Sequence, residues 1–275
     1  MVAACLRFYG IDWDHGYLFH PDERAILFHV NDMTWPDLDE IGVLLNPETS
    51  PMNPKWFPYG SLPLYLVKLI DSFLAYFMTI DFYDLRFIGR SISSLADLGT
   101  ISFVFLLARR LYNRNIALLA SIFVALSVIH IQLSHFYAVD TYLTFFVLGS
   151  LYFMSRIMQY GTRQDSILAG CFVGFAFASK ISVLLIYIPL IFSFGIFLWE
   201  RYRNHPDNYR RLIFASVLNI FLAVLTSLLI FFITTPYAFI DWSRPQACDI
   251  PFSYLQFLGN NYFLQKPTLT FLCSI

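Results

Sequence analysis

The sequence predicts an all-α protein, a polytopic transmembrane bundle of about six spanning helices with an external N-terminal loop bearing short juxtamembrane helices. Three observations predict it. The 275 residues are 57% hydrophobic and 19% aromatic but only 13% charged, where a soluble domain carries about 25% charged residues. Apolar runs recur along residues 88–234, whereas residues 1–60 are polar and turn-rich. Finally, the arginines gather in alternate connections between the runs. A net charge of −1 by itself says nothing about an anionic partner, but no basic block or nucleic-acid motif appears, so no nucleic-acid partner is expected. Cys5, Cys171, Cys248 and Cys273 form no CxxC pair, so they read as buried or free thiols, neither a zinc knuckle nor a disulfide framework.

Residues 1–87 form the first region, an extracytoplasmic loop. Met1 to Gly10 is too short for the apolar core and cleavage site of a signal peptide. Acids then dominate, from Asp12, Asp14, Asp22 and Glu23 to Glu48, against Arg7, Arg24 and Lys55. Glu23 to Asn31 suits a short helix, and Pro47, Pro51, Pro54 and Pro58 rule out a long one near the end of this loop. Ser61 to Ile80 is apolar but carries Lys68 and Asp71. Each charge costs about 2.5–3.5 kcal/mol at the bilayer centre, so the stretch reads as an interfacial or re-entrant helix.

Residues 88–234 form the transmembrane region. Its expected spans are 88–108, 116–131, 141–157, 166–180, 183–199 and 212–234. Gly170, Gly174 and Ala178 recur every four residues, a packing signal that lets another helix approach closely. Residues 235–275 begin a further extracytoplasmic loop.

The connections orient the bundle. Arg109, Arg110 and Arg114 lie in one, Arg156 and Arg163 in the second after it, and Arg201, Arg203, Arg210 and Arg211 in the second after that. Only Asp165, Glu200 and Asp207 oppose these arginines. The positive-inside rule makes these three connections cytoplasmic. Residues 20–24 and the turn 132–140 then share the opposite face.

Several side chains on that face could carry chemistry. Asp22 and Glu23, between His20-Pro21 and Arg24, are an acidic pair that could deprotonate an alcohol, hold a metal or sit in water. Asp140 could cap a helix starting at Thr141 or act as a second carboxylate across a shared cavity. Lys180 could snorkel to the interface or face an anionic lipid phosphate. His15, His20, His130 and His135 could join Asp22 and Asp140 around a divalent metal, although their spacing matches no familiar zinc motif. Asp97, mid-span and seven residues beyond Arg90 on one helical face, is a functional candidate or a helix-pairing group.

In order along the chain, four stretches resemble those of a known family. Phe19-His20-Pro21-Asp22-Glu23 resembles the acidic motif of a first external loop, and Tyr59-Gly60-Ser61-Leu62-Pro63-Leu64-Tyr65 a Pro-Leu-Tyr juxtamembrane element. Arg86 through Tyr112, continuing from His130 to Asp140, resembles the next helical hairpin. Gly174 to Lys180, with Thr235-Pro236-Tyr237, matches later landmarks. Together they are similar to the GT-C superfamily of integral membrane glycosyltransferases. The branch is the one around glycosyltransferase family 39, with protein O-mannosyltransferases and aminoarabinose transferases that depend on phospholipid sugar carriers.

The resemblance implies sugar transfer from a polyprenyl-phosphate-type carrier to an acceptor hydroxyl on the extracytoplasmic side, with inversion. Asp22 would be the general base and Glu23 would orient or assist it. Asp140, Lys180, Arg24 and His135 would bind the carrier phosphate, and Asp140 with His20 would hold any metal. The implied partners are a lipid-linked sugar donor, the bilayer, and an acceptor that is protein, lipid or glycan. The expected location is a bacterial or archaeal plasma membrane, the site on its extracytoplasmic face. Two departures stand out. Gly60 and Ser61 replace the Glu-Lys pair of the aminoarabinose transferases. Met1 to Tyr9 is too short for the family's first span, and the chain stops at Ile275 in an external region, so the resemblance implies a member truncated at both ends. The alternative is a transporter or channel segment with Asp97, Arg90 and Lys180 lining a path.

Overall fold

The computed structural model describes residues 1–204 and 209–241, and it is all-helical there. Asp207, Cys248, Cys273 and the expected loop from 242 onward lie outside the described residues. Helix α1 is Val2–Phe8 and α2 is Pro21–Asp32. Pro21 opens α2 because its missing N–H falls where a helix has no acceptor anyway, and Asp22 and Glu23 follow in the first turn, where carboxylates suit the free amides. A 3-10 stretch, Leu38–Leu45, crosses the loop to α3, Leu62–Leu74.

Helix α3 is 13 residues long, about 20 Å and too short to span. Lys68 and Asp71 neutralise each other across one turn at 3.1 Å. Leu69 and Phe73, with Tyr76 and Phe77 just beyond the helix, are exposed, an apolar face suited to the membrane boundary.

A 3-10 turn, Phe82–Asp84, held by a reciprocal Asp81–Asp84 capping box, leads into α4, Leu85–Leu111. Asn113 caps α5, Arg114–Leu126, by accepting the amides of Asn115 and Ile116. The chain breaks at Ser127 and bends 56° into α6, Val128–Ser134. Helix α7 is Val139–Tyr160 and ends at Gly161, whose φ of +57° favours glycine. Thr162 caps α8, Arg163–Ser179. After a 3-10 turn, Ile181–Ile186, come α9, Tyr187–Asn204, α10, Tyr209–Thr234, and the single turn α11, Tyr237–Ile240.

By length and apolarity four stretches can cross a membrane, Phe82–Leu111, Val139–Tyr160, Ile181–Arg203 and Tyr209–Thr234, and the bent α5–α6 pair makes a fifth. The remaining expected span, 166–180, is α8, and its 17 residues make about 26 Å. It packs on both α7 and α10. The glycine stripe explains how. A Cβ on Gly170 would lie 2.3 Å from the Ala223 carbonyl oxygen and one on Gly174 2.6 Å from that of Ser227, so both glycines admit the α10 backbone. Gly60 closes a second seam, since a Cβ there would lie 1.7 Å from the Ala178 oxygen, and its N–H donates to the Ser179 carbonyl at 3.1 Å.

Asp97 takes the second of its two expected roles, pairing with neighbouring helices. Seven residues of helix separate Arg90 from Asp97 by about 10 Å, too far to pair. Asp97 instead accepts from Arg7 of α1 and lies 2.6 Å from His130 Nδ1 of α6. Arg7 also donates to the carbonyls of Ala125 and Val124 in the last turn of α5, where carbonyls run short of helical donors; Val124 accepts the Ser127 N–H as well. Among the described residues Arg90, Asp97 and Lys180 therefore belong to three separate sets of ion pairs.

Candidate active site at the acidic end of the bundle

At the acidic end, α2, the loop before it, α4 and the α6–α7 connection meet on Arg90. All five guanidinium N–H groups are used. Nε and Nη2 donate to the Glu23 carboxylate at 2.7 and 2.8 Å, Nη1 and Nη2 to Asp14 at 2.9 and 2.7 Å, and Nη1 also to the Ile11 carbonyl at 2.7 Å. None of the three side chains is exposed. Burial pushes the Asp14 carboxyl up, but Arg90 and the amides of Gly16 and Leu18 outweigh it and hold it below its ordinary value of 3.8. Two carboxylates on one guanidinium leave the cluster net negative.

Glu23 also accepts the Tyr137 N–H at 3.2 Å, and the Tyr137 hydroxyl donates to the Pro63 carbonyl at 2.7 Å. Glu23 therefore ties α2 to α4, to the α6–α7 connection and through Tyr137 to α3. Fully buried and committed on both oxygens, it holds the turn that carries Asp22.

Asp22, one residue earlier, points elsewhere because successive helical residues diverge by about 100°. It is half-buried and makes no hydrogen bond or ion pair among the described residues. Asp140 sits in the first turn of α7, which begins at Val139 with Ala138 as its cap residue, so Asp140 is not the cap. It is exposed and lies 3.3 Å from Lys180 Nζ at the end of α8. Lys180 also stands 5.9 Å from the Tyr59 ring. Asp22, Asp140 and Tyr59 all lie close enough to act electrostatically on the phenol of Tyr142. The structure thus gathers Asp22, Asp140, Lys180 and two tyrosines.

The other expected residues stand apart from this group. His135 directs Nδ1 at the Ile131 carbonyl, 2.7 Å away, and Nε2 at that of Tyr9, 2.9 Å away, so neither nitrogen faces a carrier phosphate. Arg24 is half-buried on α2, and two residues along a helix place it about 200° round the axis from Asp22. The His20 ring packs against Phe136 at 4.8 Å, and its Nδ1 is buried without a partner among the described residues. No group of three or more His, Cys, Asp or Glu side chains among the described residues could hold a metal, so Asp140 and His20 lack the further ligands that role requires.

Asp14, Tyr137 and Tyr142 escaped the sequence reading. An arginine at membrane depth was the available signal for Asp14, because such a charge needs an acid, but spacing along the chain does not say which one. Nothing local marks the two tyrosines.

The profile described as dolichyl-phosphate-mannose-protein mannosyltransferase matches residues 69–231. That range holds Arg90, Asp140, Tyr142 and Lys180, and Asp22 lies upstream of it. No curated protein matches the chain significantly.

Proposed function

Because the chain belongs to the dolichyl-phosphate-mannose-protein mannosyltransferase family and is a membrane glycosyltransferase of GT-C type, we propose that it takes a sugar from a polyprenyl-phosphate-type carrier. The sugar passes to an acceptor hydroxyl at the acidic end of the bundle, on the extracytoplasmic face. Asp22 is the general base. The acceptor oxygen attacks the anomeric carbon, its proton passes to the Asp22 carboxylate, and the carbon–oxygen bond to the carrier phosphate breaks with the electron pair leaving on phosphate. Lys180, a compact cation held by Asp140, faces the charge that develops there. The leaving phosphate needs no proton, so one free carboxylate suffices.

The observation that carries this reading is the contrast in pairing. Asp22 is the acid of the motif without an ion pair among the described residues, and Asp140, whose field like that of Asp22 reaches the Tyr142 phenol, pairs with Lys180. The gathering of nine arginines in the three basic connections, against Asp165, Glu200 and Asp207, supports the orientation.

The test is transfer of labelled mannose from dolichyl-phosphate mannose in membranes containing the full-length chain. Asp22→Asn should lower the rate by about 10²–10⁴, the usual worth of a general base, with an unchanged unfolding midpoint. Transfer at the wild-type rate by that variant would remove Asp22 from the mechanism.

A further inference from the structure

A cavity of about 260 Å³ opens at the end of α2, lined by His29 and Asp32 from the helix and by Asn53 and Lys55 of the loop that leads to α3. The proposed transfer does not use it. Contacts fix its place relative to the site. His29 follows Asp22 by seven residues, close to two helical turns, so the two share a face of α2 about 10 Å apart. The His29 ring stacks on Trp56 at 4.9 Å, Trp56 meets Tyr59 edge-on at 5.8 Å, and Tyr59 stands 5.9 Å from Lys180 Nζ. An aromatic wall therefore runs from the cavity to the lysine that faces phosphate.

The loop side of the cavity is firmly held. Asn53 is buried, its Nδ2 donates to the Pro47 carbonyl at 2.8 Å and to the Asp241 carboxylate at 3.0 Å, and its Oδ1 accepts the Lys55 N–H at 3.0 Å. Two charged residues then occupy positions that the fold itself disfavours. Lys55 has a φ of +51°, in the left-handed region that favours glycine. Asp32 ends α2, where the helix dipole opposes a carboxylate, and it makes no hydrogen bond or ion pair among the described residues. Local rules broken without a structural gain point to residues kept for function.

The lining also selects a ligand. Asp32 offers acceptor oxygens, and Lys55 keeps two ammonium protons beyond the one on the Glu48 carbonyl at 3.0 Å. Burial holds the His29 imidazole below its ordinary 6.5 against the opposing charge of Asp32, so the ring is neutral at pH 7 and can both donate and accept. One carboxylate and one ammonium leave no net charge at the cavity. A cationic ligand is opposed by Lys55 and an anionic one by Asp32, whereas a neutral polyol satisfies both.

We propose that this cavity is the acceptor subsite and that the acceptor is a neutral glycan, one sugar residue seated here while the next presents its hydroxyl to Asp22. The separation of the cavity from Asp22 is the reach of a disaccharide. The assignment rests on the sugar transfer proposed above and adds the class of the acceptor.

The experiment titrates the full-length chain in detergent with mannobiose, and separately with a lysine-bearing serine peptide, by calorimetry without donor. Mannobiose should bind saturably. Asp32→Asn and Lys55→Gly should each weaken that binding by about tenfold or more, the size of one hydrogen bond to a charged group. Their unfolding midpoints should be unchanged or higher, because one variant removes a charge from the helix end and the other relieves the backbone. With dolichyl-phosphate mannose added, both variants should raise KM for mannobiose and leave KM for the donor as it is. No saturable binding by wild type overturns the proposal, as do unchanged affinity in both variants, a raised donor KM, or a fall in both midpoints, which makes the two side chains structural. Peptide binding that is lost in Asp32→Asn overturns it too, by making the acceptor a protein. Binding is read apart from transfer, so the two readings fail separately. If the cavity variants lose mannobiose while Asp22→Asn transfers at the wild-type rate, the base is misassigned and the subsite stands.

Discussion

Asp22 and Glu23 are neighbours in sequence and opposites in structure. Glu23 is wholly enclosed, with both oxygens on Arg90 and a third bond from the Tyr137 amide. Asp22 is half-buried and has no ion pair among the described residues. The same contrast separates the sealed Arg90 cluster from the open Asp140–Lys180 pair, whose side chains are 54% and 37% exposed. Ion pairs removed from water contribute mainly by being complete, because an unpaired buried charge is very costly. Exposed pairs contribute little to stability and stay available to a ligand. One helix turn thus divides the work: the buried acid fixes the turn so that the half-buried one can meet substrate.

The comparison can be broken most directly at Arg90. Arg90→Ala should cost about 3–5 kcal/mol of stability by leaving two carboxylates buried without their cation, measured as a large fall in the unfolding midpoint in detergent. A fall worth less than about 1 kcal/mol would mean the cluster is not sealed as described. Acid should open the cluster more gently. The folded pKa of Asp14 is held below its ordinary 3.8, so its contribution is fully present above that value and is lost as pH falls through the lower folded one. Asp14→Asn should flatten the loss of stability on that acid limb, and parallel limbs for wild type and variant would refute the linkage. Lys180→Ala should change stability least, by under about 1 kcal/mol, because its pair is exposed. A destabilisation comparable to that of Arg90→Ala would erase the distinction between the two regions.

Much of the architecture could be read from periodicity and punctuation. All six apolar runs are helices, and the glycine stripe of α8 meets α10 where four-residue spacing required a close neighbour. Length blurred the rest: α8 has only 17 residues and packs on α7 and α10, and α5–α6 breaks at Ser127 where no proline or glycine announces a bend. The site was legible as a set of polar residues on one end, less so as pairings. Charge partners are chosen by tertiary contact between segments tens of residues apart, so nothing in the sequence joins Arg90 to Asp14 and Glu23. His135 and Arg24 show the same limit, since only the folded backbone reveals which carbonyls occupy a ring and which way a side chain projects.

The link from Arg7 to Asp97 and to the carbonyls of Val124 and Ala125 also constrains biosynthesis. These partners follow Arg7 by 90, 117 and 118 residues. At about 5–20 residues per second, the Arg7 guanidinium is made on the order of ten seconds before the acid that neutralises it. Until then it must be kept in water or by the insertion machinery, so α1 docks only after α4 and α5 have been made.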